Sequence, residues 1–313
     1  MKTVLVTGTL GFIFSNFIRR VVSKYVEYRF IGVDKAMFSY NLNNAYTHDN
    51  YKYYLADIAD KHMMNRIFEI EKPDIVIHGA AESFVDNAIT NIDPFLHTNV
   101  LGTQVVVDCC LKYDVKQFLH ISTDEVYGQK QNLDQEGWTE EEPLLARNPY
   151  AASKAAAEMI ILSAHHTHGL QYKMTRSCNV YGARQKRENL VPMIINNLLD
   201  ARPITIHGNG LNFRQYIHVN DKIDAIMAVL QSGKMNNVYN IGDNNFKRNI
   251  EMVDYIAKAM HIKPFIQYID DRKAHDYGYK VNTNKLNQLG WKPRVEFNSG
   301  MMETILFYKG LRV

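Results

Sequence analysis

Short apolar runs recur through the first half of the chain, each followed by a stretch with helical spacing. Residues 2–7 read as a strand that passes through a glycine turn into a helix ending near residue 24. Residues 30–33 and 52–55 read as the next strands, 61–70 as a helix and 74–78 as a fourth strand. A helix over 95–113, a strand over 117–122, a helix over 149–168 and a strand over 172–177 continue the series. Continuous apolar strands separated by helices predict a parallel sheet covered on both faces. Right-handed crossovers make that a doubly wound α/β (Rossmann) sheet.

The rhythm changes after about residue 179. Loops lengthen, Gly208-Asn209-Gly210 and Gly242-Asp243 interrupt the chain, and short helices are predicted at 250–260 and 285–289. With no repeat and no low-complexity linker, the last third reads as a smaller α/β lobe packed on the first domain. The expected division is a dinucleotide-binding domain over 1–178, rejoined by parts of 215–245, and a partly interleaved substrate lobe over 179–313. A cleft between two lobes is a usual place for a ligand.

Composition narrows the function classes. The chain has 313 residues, 46% hydrophobic and 22% charged, an ordinary globular balance. Its 36 basic and 33 acidic residues leave a net charge of +3, which gives no reason to expect nucleic acid or a membrane as partner. No apolar run approaches the ~20 residues needed to span a bilayer. The N-terminus enters the first strand without a signal-peptide pattern. Cys109 and Cys110 are adjacent and Cys178 stands alone. That is no disulfide framework, and a cytoplasmic, reducing location is expected. No metal site is expected.

The first strand ends in Thr7-Gly8-Thr9-Leu10-Gly11-Phe12-Ile13-Phe14. Glycines such as Gly8 and Gly11 permit a tight turn and let backbone N–H groups approach a diphosphate at the helix start. A dinucleotide-binding turn has a third glycine where this chain has Phe14. Either the helix stands off the sheet or Phe14 fills space elsewhere. Asp34 ends the second strand, where a carboxylate accepts hydrogen bonds from an adenosine ribose and repels a 2′-phosphate, favouring NAD over NADP. Lys35 blurs that preference. Asp57 and Ile58, after the third strand, are placed to meet the adenine edge. Gly79-Ala80-Ala81 ends the fourth strand with small residues that leave room for a cofactor.

Tyr150 and Lys154 lie one turn apart in Asn148-Pro149-Tyr150-Ala151-Ala152-Ser153-Lys154, with Pro149 suited to a helix start. An ammonium at that spacing is expected to lower the phenol's pKa, so that it can take a hydroxyl proton while hydride leaves the same carbon. Thr123 can hydrogen-bond at that hydroxyl. Asp124 and Glu125 follow directly, in Ser122-Thr123-Asp124-Glu125-Val126-Tyr127-Gly128. Alcohol oxidation alone has no use for two further carboxyls. One ionised and one protonated carboxyl suit elimination of water beside a new carbonyl.

With these segments in view, the chain resembles the extended short-chain dehydrogenase/reductase superfamily, and within it the nucleotide-sugar 4,6-dehydratases of UDP-glucose or dTDP-glucose. STDEVYG (122–128) and NPYAASKAAAE (148–158) carry most of the likeness, with support from AAESFVD (80–86), RSCNVYG (176–182) and DRKAHD (271–276). The resemblance implies NAD held by Phe12, Ile13, Asp34, Asp57, Ile58, Ala80, Ala81, Thr98, Tyr150 and Lys154. It implies a nucleotide-sugar site lined by Ser83, Thr123, Asn179, Arg214, Asn249, Arg272 and His275. Arginine forks suit a diphosphate, although on residue type alone Arg214 and Arg272 read as solvated surface. The resemblance also implies a homodimer paired through the helices over 95–113 and 149–168.

In that reading Tyr150 takes the O4 proton, Glu125 takes the C5 proton and Asp124 protonates the departing C6 hydroxyl, with NAD recycled. Departures at Asn189, Arg184-Gln185-Lys186-Arg187 and Lys273-Ala274 lie in the substrate lobe and bear on the nucleotide. Val85-Asp86-Asn87 and Phe14 lean to UDP-glucose and His275-Asp276 to dTDP-glucose, and UDP-glucose is the expectation. Two other readings predict different residues. A C4 epimerase or decarboxylase on this scaffold commonly has small or neutral residues in place of Asp124 and Glu125. A non-catalytic dinucleotide-binding scaffold would have lost Tyr150, Lys154 or Thr123.

Overall fold

A computed structural model describes residues 1–36 and 44–310. Seven strands form one parallel sheet: β1 (Lys2–Thr7), β2 (Tyr28–Asp34), β3 (Tyr51–Leu55), β4 (Ile75–His78), β5 (Gln117–Thr123), β6 (Tyr172–Ser177) and, far along the chain, Asn237–Ile241. The last of these pairs in parallel with β6 and forms one edge, and β3 forms the other. The order reverses at β1, which lies between β2 and β4. A parallel sheet binds its ligand outside the carboxyl ends of the strands at such a switch point.

The apolar runs have a simple cause. Val4, Val6, Phe30, Ile77, Leu119 and Ile121 enter the core on one face of the sheet. Their neighbours Leu5, Val33, Val76 and Phe118 enter the core on the other. Neither set of alternate positions meets water, so no polar alternation is left to see.

Helices α1 (Phe12–Val21), α2 (Lys61–Glu71), α3 (Val85–Thr90), α4 (Gly102–Lys112) and α5 (Pro149–His168) belong to this half of the chain. The helix expected over 95–113 is not continuous. A turn at Asp93–Phe95 leads into a π-helical stretch, Leu96–Leu101, before α4. The first helix ends at Val21, earlier than expected. The helix expected over 285–289 is the single turn Asn284–Asn287. In α5, Pro149 occupies the first turn, the Asn148 side chain accepts from Ala151 N at 2.8 Å, and Gly169 ends the helix at φ +74°. Such a cap contributes ~1 kcal/mol.

After β6 come β7 (Asn179–Tyr181), α6 (Leu190–Leu199), β8 (Ile204–His207) and β9 (Phe213–His218), then α7 (Val219–Ser232) and the last strand of the large sheet, β10 (Asn237–Ile241). The chain continues through β11 (Asn245–Arg248), α8 (Asn249–Met260), β12 (Ile266–Ile269) and α9 (Phe297–Gly310). β7, β9 and β11 form a small mixed sheet, and β8 pairs with β12. A separate core of Val191, Ile194, Met252, Ile256, Met301 and Ile305 holds this lobe together. Residues 219–241 therefore return to the large sheet after the chain has visited the second lobe. A bidentate pair between Arg20 of α1 and Asp224 of α7 spans that return. No helix among the described residues is long and apolar enough to cross a membrane.

Candidate active site

The carboxyl ends of the large sheet and the second lobe enclose a cleft of about 610 Å³. That is the range of a small-molecule or cofactor site. One end is built by the turn after β1. Gly8 has φ +83°, and a Cβ there would lie 2.9 Å from Ala80 N and Cα, so only glycine lets the two backbones close this corner. Gly11, Phe12 and Ile13 follow at the start of α1, whose N-terminus has no side-chain cap and lines the cleft. Its free N–H groups and dipole suit a diphosphate.

Asp34 lines the same end. Its two oxygens accept from Leu10 N and Ala36 N at 2.9 Å each, and burial pushes its pKa up. Lys35 bonds Thr98 Oγ1 at 2.8 Å and pairs with Glu82 at 3.2 Å. Ile58, Ala80, Ala81 and Thr98 complete the wall. Asp57 is not among the lining residues: its carboxylate faces Ala59 N at 2.8 Å and His97 Nε2 at 3.2 Å. The uncapped helix start, the close-packed glycine corner and the carboxylate beyond it fit a dinucleotide such as NAD.

Phe14 stands where the third glycine of the turn is expected. Its ring fills the space beside Gly79: a Cβ on Gly79 would lie 2.0 Å from Phe14 Cε2. The ring is 3% exposed and packs on Phe17 with centroids 5.3 Å apart. The missing glycine of the turn is matched by a glycine on the facing strand end.

The reacting groups gather where β5 meets α5. Thr123, Asp124, Glu125, Tyr150 and Lys154 all line the cleft. Thr123 Oγ1 donates to Asp124 Oδ1 and accepts from Glu125 N, both at 3.3 Å. Asp124 is 2% exposed, and burial, with Glu125 beside it, pushes its pKa up to about 8. Burial also raises Glu125, but Asn148 Nδ2 donates to its Oε2 at 2.9 Å and Arg214 and Arg272 favour its charge. Tyr279 OH reaches the same oxygen at 3.3 Å and Asp276 at 2.6 Å. The two neighbouring carboxyls are thus dressed differently: Glu125 is solvated by donors, whereas Asp124 Oδ2 has none. This is how one site keeps a base and an acid side by side.

The expected lowering of the Tyr150 phenol is not what the residues produce by themselves. Lys154 Nζ donates to Ile121 O at 2.8 Å and reaches His120 Nε2 at 3.4 Å, and burial lowers its own pKa to about 8. Burial and the two carboxylates push Tyr150 upward instead.

Ser83, Asn179, Arg214, Asn249, Arg272 and His275 line the same cleft. Neither arginine is a solvated surface group. Arg214 is 6% exposed, bonds the carbonyls of Phe213 and Tyr277, and lies over the Tyr279 ring at 4.6 Å. Arg272 pairs with Asp86 at 3.3 Å. His275 bonds Asp271, and burial and Arg272 lower its pKa to about 4.

Sequence reasoning missed three participants. Asn148 was legible only as a helix start, yet its Oδ1 caps α5 while its Nδ2 holds Glu125. Tyr279 reaches Glu125 across 154 residues, with no local signal. Lys222, fully buried on α7, also lines the cleft.

The fold and site define a dinucleotide-binding oxidoreductase scaffold with an added acid–base pair. Residues 4–242 match the model of the NAD dependent epimerase/dehydratase family, and the chain belongs to that family. It is similar to a dTDP-glucose 4,6-dehydratase of an Actinoplanes species, 35% identical over 99% of this chain and 98% of that one. It is 36% identical to a trifunctional UDP-glucose 4,6-dehydratase of Arabidopsis thaliana, over 98% of this chain but only 47% of that longer protein. A crystal structure of the dTDP-glucose 4,6-dehydratase of Streptomyces venezuelae with NAD and TYD bound superposes with a TM-score of 0.93, at 34% identity over 99% of this chain and 98% of that one.

Proposed function

We propose that the protein is a nucleotide-sugar 4,6-dehydratase that converts an NDP-glucose to the 4-keto-6-deoxy product and water. The observation that carries this is the unequal pair Asp124 and Glu125, set beside Tyr150 in one cleft. NAD, when bound, accepts hydride from C4 and returns it at C6. Gly8, Gly11, Phe12 and Ile13 would hold its diphosphate and Asp34 its adenosine ribose. Tyr150, aided by Thr123, would take the O4 proton as its phenolate, the form that the positive charge of bound NAD together with Lys154 would favour. The C4 carbonyl acidifies C5, and Glu125, whose charged form Asn148 and the arginines favour against burial, takes the C5 proton. Asp124, protonated at neutral pH, gives its proton to the leaving O6. Glu125 then returns the C5 proton. One proton leaves O4 and one leaves in water, so the reaction balances.

The large sheet would carry the cofactor, and Arg214 and Arg272, on the second-lobe side, the nucleotide diphosphate. Among nucleotides, UDP-glucose is proposed first, on Val85-Asp86-Asn87 and Phe14, and dTDP-glucose second, on His275-Asp276. The buried thiols Cys109, Cys110 and Cys178 suit a reducing, cytoplasmic location. A homodimer is proposed through the π stretch, α4 and α5. Leu96, Leu101 and Met159 on these elements are 45%, 49% and 49% exposed, an apolar face of the kind a partner covers.

Separate incubation with UDP-glucose and dTDP-glucose, followed by mass analysis, tests the function. Loss of one water from at least one of them without net consumption of NAD is expected. An epimer of unchanged mass, or stoichiometric reduction of NAD, would refute the reading.

A further inference from the structure

One ion pair joins two walls of the cleft. Asp86, in the first turn of α3, and Arg272, in the segment after β12, both line it. Arg272 Nη1 donates to the two carboxylate oxygens of Asp86 at 3.3 and 3.4 Å. Those contacts are long for a charge-assisted bond, which closes to about 2.7–2.9 Å. One nitrogen serves both oxygens, so the planar fork that matches a carboxylate or a phosphate is not engaged. Among the described residues, Nε and Nη2 of Arg272 have no hydrogen-bond partner. The two side chains are 24% and 37% exposed, so water competes for the pair.

The backbone beneath this guanidinium is held far more firmly. Asp271 Oδ1 accepts from Arg272 N at 2.9 Å and lies 2.5 Å from His275 Nδ1. Asp271 also packs on Gly208, where a Cβ would lie 2.8 Å from its Oδ2. Further on, Asp276 accepts from Arg147 Nε at 2.8 Å and from Tyr279 OH at 2.6 Å. The segment is tied down on both sides of Arg272, whereas the tip of the side chain rests on one loose contact. Arg214, in the same cleft, is built in differently, bonded to two carbonyls and stacked on Tyr279.

We propose that Asp86 is an internal stand-in for the nucleotide diphosphate: it holds the Arg272 guanidinium until the nucleotide sugar arrives and then yields it to the diphosphate. This rests on the reading of Arg272 as a diphosphate ligand. A diphosphate carries more charge than one carboxylate and offers paired oxygens to the whole fork, so the exchange runs toward the ligand. The anchored backbone keeps Arg272 in place, and the swap needs only a rotation of its end. Asp86 is thereby a positioning residue that acts through Arg272. The exchange has a cost. Binding must undo the pair, and the carboxylate left behind faces a bound group of like charge. A partly exposed pair favours its closed form by no more than about fivefold, so the cost is modest and speeds release of the product.

Titration calorimetry of the NAD-loaded enzyme with UDP and with dTDP tests this, in the wild type, Asp86→Asn, Asp86→Ser, Arg272→Gln and the double variant Asp86→Asn with Arg272→Gln. Either Asp86 variant should bind the nucleoside diphosphate about threefold or more tightly. Damage to the site would weaken binding, so a gain in affinity separates this role from a structural one. In the Arg272→Gln background most of the gain should vanish, because no guanidinium is left to release. Equal or weaker binding by the Asp86 variants, or a gain that persists in full without Arg272, overturns the proposal. Failure of both Asp86 variants to fold with NAD present overturns it too. A wild type that binds neither nucleotide, or an Arg272→Gln enzyme that binds as tightly as wild type, instead refutes the reading of Arg272 on which the inference stands.

Discussion

Gly79→Ala probes how this chain tolerates a phenylalanine in its dinucleotide turn. The added methyl carbon would lie 2.0, 2.6 and 2.8 Å from three atoms of the Phe14 ring. Ordinary carbon contacts are ~3.5–4.0 Å, so the ring must retreat by about 1.5 Å. It cannot retreat into the core, where Phe17 and its neighbours pack against it. It can only swing toward the cleft that receives the cofactor. Overpacking of this kind costs about 1–3 kcal/mol. Phe14→Ala alone should cost about 3 kcal/mol or more for the lost buried ring. In the double variant the methyl group enters vacated space, so the two costs should not add. The shortfall from additivity should be about 1–3 kcal/mol. Urea unfolding followed by tryptophan fluorescence, with and without NAD, measures all four corners of the cycle. A Gly79→Ala protein as stable as wild type, together with an additive double variant, would refute the reasoning.

Three further outcomes are expected. Glu125→Gln should slow water loss ~10²-fold or more while bound NADH accumulates in stopped-flow absorbance, and Tyr150→Phe should give no NADH signal. Asn148→Ala removes a donor that holds the Glu125 pKa down, so the base gains its proton at higher pH. The acidic limb of the pH–rate profile should move up by about one unit, and further in Asn148→Asp, which keeps the helix cap but adds a like charge. Leu101→Glu combined with Met159→Glu should halve the mass seen by light scattering at micromolar concentration without loss of helical circular dichroism.

The sequence was most readable where contacts are local. The strands β1 and β4 are continuous apolar runs because both faces of the sheet are covered where they lie. Thr123, Asp124, Glu125, Tyr150 and Lys154 fall in two contiguous segments. α7 escaped notice for a physical reason. It is buried nearly all round, by Ile223, Ala225, Ile226, Met227, Val229 and Leu230, yet carries Asp221, Lys222 and Asp224, so neither an amphipathic stripe nor an apolar run marks it. The donors that set apart Glu125 from Asp124 come from 23 and 154 residues away, and no spacing rule reaches that far. The effect of Lys154 on Tyr150 was misjudged because helical spacing fixes which face two side chains share, not where the longer one ends.

The place of β10 at the rim of the large sheet has a consequence for synthesis. β6 leaves the ribosome with its outer row of N–H and C=O groups unpaired, and its partner lies about 60 residues downstream. At translation rates of ~5–20 residues per second, that row stays open for roughly 3–12 s. Open strand rows template pairing with other chains. Each nascent molecule therefore passes through an interval when its nearest strand partner belongs to another polypeptide, and crowded polysomes are where this fold is most exposed to misassembly.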